Sequence, residues 1–245
     1  MSIFNTGLLS TFSFSEKWQA YATQIAFIVL AIVVSYLLGS INSAIIVSKT
    51  LYRDDIRKYG SGNAGMTNML RTYGLKAAGL TLLGDILKTV LAIVFTAFLF
   101  GFSYVRGISY NDGYCYMAGL FAVLGHVFPI YYGFRGGKGV LATAAMALVL
   151  TPIPFLILIT LFVIIVYLSK YVSLGSVTVA VFYPVLVSAY IKFLGLPTPG
   201  ILMLCLIILA IFIVWCHREN LKRISNRTER KISIGGKKKK EENEE

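Results

Sequence analysis

The chain has 245 residues, of which 57% are hydrophobic and only 14% are charged, and its mean hydropathy is +0.74. A soluble globular domain carries about 25% charged residues, so this composition excludes an ordinary soluble fold. The net charge of +12 suggests an anionic partner, but the aromatic residues lie mainly in apolar segments, which argues against nucleic acid.

Apolar stretches long enough to cross a bilayer recur along the chain, since about 20 apolar residues span a hydrocarbon core of roughly 30 Å. They follow a lead-in, residues 1–22, that lacks the basic start and cleavage site of a signal peptide. We therefore predict an all-α integral membrane protein, a seven-helix transmembrane bundle over residues 23–217. Its predicted spans are 23–47, 75–102, 114–132, 140–150, 155–168, 172–191 and 200–216.

Lysine and arginine residues concentrate on one side of this predicted bundle. The opposite side holds only Lys17, Arg106 and Lys192. Because the cytoplasmic side carries the excess of such residues, the N-terminus is predicted outside and the basic tail, residues 218–245, in the cytoplasm. The lysine run at 237–240 is typical of a solvated, disordered end, and weak attraction to anionic lipid is the alternative.

A glycine-rich loop follows the first predicted span. Its pattern of Gly60, Gly62 and Gly65 matches the dinucleotide fingerprint, but that fingerprint needs a strand before it, and none is predicted here. Glycines let successive backbone amides turn toward an anion, and nearby polar and cationic groups add donors. We interpret the loop as a phosphate site, with a flexible loop as the alternative. The added donors are Ser61, Thr67, Asn68 and Arg71.

A second glycine-rich loop, residues 134–139, precedes the fourth predicted span. It is not a Walker A loop, because Tyr132 stands where the first glycine belongs and Gly139 where a serine or threonine would hold magnesium. It places Arg135 and Lys138 among glycines at a helix N-terminus, where amides and the helix dipole favour an anion. Ordinary positive-inside charge would explain the cations but not Gly136, Gly137 and Gly139.

Two further loops on the predicted cytoplasmic side carry weaker signals. Ser173 and Ser176 belong to the motif 170–176, at the junction of the fifth and sixth spans. His217 and Asn220 follow the seventh span, and their spacing of three places them on one helix face. A wet interfacial turn is the alternative for this last pair.

Three ionisable residues lie inside predicted spans. Asp85 and Lys88 have the i, i+3 spacing of an internal ion pair. A histidine such as His126 in a membrane helix can hydrogen-bond to a neighbouring helix. Such groups usually face the bundle interior, so a structural role and a role in an active site both stay open. The three cysteines have no paired spacing, which argues against a disulfide framework or a metal site.

Taken in order, these motifs resemble the bacterial acyl-phosphate:glycerol-3-phosphate acyltransferases, the PlsY family, from about residue 35 to residue 230. The resemblance implies a seven-helix protein of the bacterial inner membrane with its active site facing the cytoplasm. It also implies transfer of a fatty acyl group from acyl phosphate to the sn-1 hydroxyl of glycerol 3-phosphate, without cofactor or metal. The motifs are Gly39-Ser40-Ile41, Asp55-Ile56-Arg57 with 60–68, Gly84-Asp85 with Lys88, Gly125-His126 with Pro129, 134–140, 171–176 and 217–220.

The resemblance also implies a set of site residues. His217 is a base or a phosphate ligand, and we favour the ligand, with a substrate phosphate taking the hydroxyl proton. The implied catalytic residues are Ser61, Arg71, Lys138, Ser176, His217 and Asn220. The implied substrate-binding residues are Gly60, Gly62, Asn63, Gly65, Thr67, Asn68, Gly136, Gly137, Gly139 and Ser173. The chain departs from the family pattern at Asn42, Thr89, Leu141 and Cys216.

The implied partners are acyl phosphate, glycerol 3-phosphate, membrane lipid and the enzyme that makes acyl phosphate. The competing interpretation is a transporter or channel for organic phosphates. Transporters usually show repeated halves and bind substrate near the midplane, whereas this chain has no internal repeat and its candidate ligands gather at one face. A scaffold protein leaves the glycine loops unexplained.

Overall fold

The computed structural model describes residues 7–101, 104–105, 108–109 and 113–232, which form ten α-helices and one small pair of strands. The strands β1 (Tyr104–Val105) and β2 (Ile108–Ser109) are antiparallel. Apart from that pair, the prediction of an all-α protein is confirmed. The helices are α1 (Lys17–Ser40), α2 (Ser43–Tyr52), α3 (Met66–Tyr73), α4 (Leu75–Phe100), α5 (Gly113–Val127), α6 (Val140–Leu150), α7 (Pro152–Ser169), α8 (Val172–Phe193), α9 (Gly200–Cys216) and α10 (Arg218–Ser225).

Five segments of the described chain are long and apolar enough to cross a membrane: Lys17–Tyr52, α4, Gly113–Tyr132, α7 and α8. Helix α9 gives a sixth when it is taken together with α10, from which it is bent by 52°. Helix α6 has 11 residues and is therefore about 16 Å long, half of a hydrocarbon core. The chain is a multi-pass membrane protein, while the count of seven spans and the orientation stay predictions.

The first predicted span, 23–47, lies within the longer candidate span Lys17–Tyr52, but the helix is broken inside it. Helix α1 begins at Lys17 and ends at Ser40, and α2 begins at Ser43. The amide of Asn42 makes the break favourable, since its oxygen caps α2 by accepting from the backbone N–H of Ile45 at 3.1 Å. Its nitrogen donates to the carbonyl of Ala64 at 3.4 Å, which ties the break to the first glycine loop.

Helix α5 lies at the centre of the bundle and packs against α1, α4, α6 and α9. Small residues let α1 and α5 approach closely, as they do at many helix crossings in membranes. A Cβ on Gly39 would lie 2.2 Å from the carbonyl oxygen of Ala122, and one on Gly125 would lie 2.3 Å from that of Tyr36. Both glycines are therefore required by the contact between backbones.

Replacing Gly39 with alanine is expected to destabilise the protein by about 1–3 kcal/mol, because the added methyl group overpacks against α5 backbone that cannot yield. Thermal unfolding in detergent measures the loss. Gly79→Ala in α4 is the matched control, since a Cβ there meets nothing within 4 Å. Equal melting temperatures for the two variants would show that the α1–α5 contact is looser than described.

Candidate active site

A cavity of about 700 Å³ lies where the two glycine loops meet α10 and the segment that follows it. The glycine loops, α10 and the segment after it contribute mostly polar residues to the lining, which form its polar end, and α6, α7 and α8 contribute mostly apolar residues, which form its apolar arm. All of the residues implied as catalytic line it: Ser61, Arg71, Lys138, Ser176, His217 and Asn220. Seven residues implied as substrate-binding also line it: Gly60, Asn63, Gly65, Thr67, Asn68, Gly139 and Ser173. Gly62, Gly136 and Gly137 do not.

The first glycine loop is held in shape by the side chain of Asn68. Its nitrogen donates to the carbonyls of Tyr59 at 3.0 Å and Asn63 at 3.1 Å, and its oxygen accepts from the backbone N–H of Ser61 at 3.2 Å. Gly60 has a φ of +60°, and a Cβ there would lie 2.2 Å from the Asn68 oxygen. Asn68 therefore organises the loop, which presents Ser61 at the exposed mouth of the cavity.

The second glycine loop is built differently from the prediction, because two of its amides are already bonded. The N–H of Gly136 donates to the carbonyl of Val127, and that of Gly137 to the carbonyl of His126, both at 3.1 Å. These amides are not available to a phosphate, so Gly136 and Gly137 shape the loop rather than bind. The carbonyl of Gly136 accepts from the N–H of Ala64 at 3.3 Å, which joins the two loops.

Beneath the joined loops lies a cluster of buried ionisable side chains. The Lys88 ammonium is 2.8 Å from an Asp85 oxygen, 2.9 Å from Nδ1 of His126 and 2.9 Å from the carbonyl of Ile41. The predicted i, i+3 ion pair is thus present. A Cβ on Gly137 would lie 2.0 Å from Nε2 of His126, so the cluster directly supports the second loop.

Two cations lie in the polar end without a carboxylate partner among the described residues. Lys138 contacts the side-chain oxygen of Asn220, and Arg71 donates to the carbonyl of Arg230 at 3.3 Å. Neither cation forms an ion pair within the described chain. Desolvation by burial lowers the pKa of Lys138. The guanidinium of Arg71 is partly shielded from water, and this desolvation lowers its pKa as well. A bound anion would offset this cost of desolvation, so the polar end is suited to phosphate.

His217 lies between the apolar helix α9 and the surface helix α10. Its Nδ1 is 2.8 Å from the carbonyl of Ile213, and since a carbonyl only accepts, Nδ1 carries the proton of the neutral ring. Burial lowers the pKa of His217 to about 4, so the ring is neutral at pH 7. Its Nε2 then offers a lone pair, which suits a hydroxyl donor and not a phosphate oxygen.

The lowered pKa of His217 predicts a loss of stability in acid. The unfolded chain binds a proton near pH 6.5 and the folded chain only near pH 4, so stability falls as the pH falls through this window. Between pH 7 and pH 5 the loss is about 2 kcal/mol. Melting temperatures of the unaltered protein and of His217→Gln, compared across this range, isolate the effect. Parallel curves would contradict the assigned burial.

Glu229 also lines the cavity, although no sequence pattern indicated it. One of its oxygens accepts from Ser173 at 2.9 Å and from the Asn220 amide at 2.6 Å, and the other accepts from Arg223 at 2.7 Å. Burial would raise the pKa of Glu229, but these hydrogen bonds outweigh it and hold the pKa below its ordinary value. The carboxylate therefore aligns side chains from α8 and α10.

The segment after α10 continues across the cavity, although it was predicted to belong to the tail. Thr228, Glu229, Arg230 and Ile232 line the cavity, and the N–H of Ile232 donates to the carbonyl of Lys170 at 2.9 Å. The lysine run at 237–240 lies outside the described residues. Across the described ranges, no three His, Cys, Asp or Glu side chains are grouped so as to hold a metal ion.

Comparison with known proteins yields consistent matches. A sequence model of the family described as glycerol-3-phosphate acyltransferase matches residues 29–227. The glycerol-3-phosphate acyltransferase of Bacillus subtilis (strain 168) is 41% identical over 205 residues, which are 84% of this chain and 97% of that protein. That of Alkaliphilus metalliredigens (strain QYMF) is 38% identical over 203 residues, covering 83% of this chain and 95% of that protein.

Solved structures also match. The crystal structure of PlsY (YgiH), an integral membrane glycerol 3-phosphate acyltransferase, in its glycerol 3-phosphate form has a TM-score of 0.72 and 28% identity. The match covers 84% of this chain and 96% of that chain. Its lysophosphatidic acid form has a TM-score of 0.69 and 27% identity. The family match spans both glycine loops, Ser176, His217 and Asn220, and ends two residues before Glu229.

Proposed function

We propose, since the chain belongs to the glycerol-3-phosphate acyltransferase family, that it transfers a fatty acyl group to glycerol 3-phosphate in phospholipid biosynthesis. The proposed donor is acyl phosphate and the proposed acceptor is the sn-1 hydroxyl, so that the products are lysophosphatidic acid and phosphate. The enzyme is proposed to lie in the bacterial inner membrane with the polar end of its cavity toward the cytoplasm. The enzyme that makes acyl phosphate is a further proposed partner.

One observation carries this proposal: a single cavity joins an apolar arm to two cations that have no carboxylate partner in the part of the chain that the structure describes. Lys138 and Arg71 suit phosphate groups, and the arm between α6, α7 and α8 suits a fatty chain. A phosphorylated lipid needs both features side by side. An organic-phosphate transporter would have no use for the apolar arm.

In the proposed reaction the hydroxyl oxygen of glycerol 3-phosphate attacks the acyl carbonyl carbon of acyl phosphate. A new C–O ester bond forms, and the bond between the carbonyl carbon and the phosphate oxygen breaks. The bonding electrons leave with phosphate, which also takes the hydroxyl proton. Because acyl phosphate is already activated, positioning and charge neutralisation supply most of the acceleration.

His217 is proposed to position the attacking hydroxyl, which revises its favoured role as a phosphate ligand. Its Nε2 accepts a hydrogen bond, because Nδ1 donates to Ile213. Because burial lowers the pKa of His217 to about 4, the ring is a poor base, whereas the departing phosphate oxygen gains negative charge as the C–O bond breaks. The proton therefore moves to the leaving phosphate. Ser61, Ser176 and Asn220 supply further hydrogen bonds to the acceptor.

The test uses the purified protein with palmitoyl phosphate and glycerol 3-phosphate, and measures release of phosphate and formation of lysophosphatidic acid. Palmitoyl-CoA is the control donor and is expected to give no product. Turnover with palmitoyl-CoA alone would overturn the proposed donor. Uptake of glycerol 3-phosphate into liposomes without any acyl product would favour the transporter.

A further inference from the structure

The apolar arm is lined by three helices, each of which contributes the residues of one face. Helix α6 contributes residues 140, 144 and 147, α7 contributes 155, 159, 162 and 166, and α8 contributes 176, 180 and 183. The spacings of three and four residues place each set on one helix face. The arm begins beside Lys138 and Ser176 and continues away from the polar end.

The far end of the arm is closed by Tyr183. This side chain is 2% exposed, and its hydroxyl lies 3.0 Å from Oγ1 of Thr151, which is fully buried at the junction of α6 and α7. Tyr183 is the last residue along α8 that lines the cavity, together with Ala147 and Phe155, the lining residues of α6 and α7 nearest to Thr151. One turn further along α8, Val187 is fully buried and is not among the described residues that line the cavity.

The depth of the arm corresponds to a definite length of hydrocarbon. From Ser176 to Tyr183 the helix rises about 10 Å, and from Phe155 to Val166 about 16 Å, at 1.5 Å per residue. An extended chain advances roughly 1.2 Å per bond, as the extended protein backbone does. The arm therefore accepts about 9 to 14 carbons below the reacting carbonyl.

We infer that Tyr183 is the floor of the acyl site and determines the chain length that the enzyme uses best. This inference rests on the proposed function. A chain that ends above Tyr183 gains from every methylene that it buries, while a longer chain must displace the ring or bend outward past α7. Ile159 lines the arm and is also 37% exposed, so the arm is open to lipid at this point and an outward bend places the excess methylenes in lipid, where they gain no contacts with the walls of the arm.

The experiment measures kcat/KM for saturated acyl phosphates of about 8 to about 18 carbons, with the donor and detergent concentrations matched. For the unaltered protein, kcat/KM is expected to rise as added methylenes fill the arm, because their contacts with its walls replace empty space, and then to level off or fall at a break. Tyr183→Ala is expected to move this break to longer chains. Ala180→Leu, which fills the arm one turn nearer the headgroup, is expected to move it to shorter chains.

Two further variants serve as controls on the same helix. Phe182→Ala removes an adjacent ring that is 47% exposed to lipid, and it is expected to keep the original break. Tyr183→Phe keeps the ring and loses only the bond to Thr151, so its break is also expected to stay. Comparing ratios of kcat/KM between variants cancels the partition of each donor into micelles.

The possible results separate the two proposals. Normal turnover with the same break in Tyr183→Ala, Ala180→Leu and the unaltered protein would overturn Tyr183 as the floor and leave the proposed function standing. Ala180→Leu is expected to shift the break in the opposite direction. It therefore still tests the inference if the Tyr183→Ala variant fails to fold. Lack of turnover by the unaltered protein with every acyl phosphate would overturn the proposed function, and this inference with it.

Discussion

Replacing Lys138 with methionine is expected to lower kcat/KM for acyl transfer by about 100-fold to 1000-fold. Lys138 is half-buried in the cavity and has no carboxylate partner in the described chain, so its charge is available to the phosphate that leaves. Losing one preorganised charge-stabilising donor typically costs this much. Methionine keeps the length and apolar stem of lysine, which limits any change in packing.

Arg135→Met is the matched control for this variant. It lies three residues away in the same loop and removes the same unit of charge, but its side chain is exposed and does not line the cavity. Its kcat/KM is expected to stay within about threefold of normal, because an exposed charge at that distance is screened by salt. Equal losses in the two variants would mean that the general positive field matters and that Lys138 has no specific place in the site.

The glycine loops illustrate how far sequence reasoning reaches. Gly60 and Gly139 have positive φ values and line the cavity, as the argument from glycine-rich, anion-binding loops requires. The same argument assigned Gly136 and Gly137 to phosphate, yet their amides donate to Val127 and His126. Local sequence indicates that a loop needs glycine, but only the fold shows whether glycine is there for a ligand or for a close neighbour.

Helix boundaries show a second limit, which arises from single polar side chains. Hydropathy located the apolar stretches, because a helix that crosses a lipid bilayer needs about 20 mostly apolar residues, and their mean hydropathy stands out in the sequence. It could not show that Asn42 ends one helix and caps the next, since a single polar residue barely changes the mean over such a window. The break matters because Asn42 also bonds Ala64, so it fixes the first glycine loop.

Glu229 shows a third limit, because its role depends on contacts between residues far apart in the chain. In the sequence it stands among arginines and looks like part of a solvated charged tail. In the fold it joins Ser173 on α8 to Asn220 on α10, over separations of 56 and 9 residues. No local pattern encodes that pairing, so only the three-dimensional arrangement reveals it.

Glu229→Ala is accordingly expected to cost both stability and activity. Its side chain is 9% exposed, and its removal leaves the Asn220 amide, the Ser173 hydroxyl and the Arg223 guanidinium without their acceptor. Ser173 and Asn220 are buried, and each buried polar group left unsatisfied costs about 1–3 kcal/mol, whereas the Arg223 side chain is 42% exposed and is solvated by water. A fall of about 2–6 kcal/mol in the free energy of unfolding is therefore expected. Since Asn220 also contacts Lys138, kcat/KM should fall by about tenfold or more even in the folded fraction.

The matched control is Glu219→Ala on the neighbouring helix α10. The Glu219 side chain is 65% exposed and its nearest cation, Arg218, is 3.9 Å away, so its loss is expected to change the free energy of unfolding by less than about 1 kcal/mol. Thermal unfolding and initial rates are measured on both variants in the same detergent. If Glu229→Ala behaved like Glu219→Ala, the segment across the cavity would be dispensable, and Asn220 would have to be aligned by α10 alone.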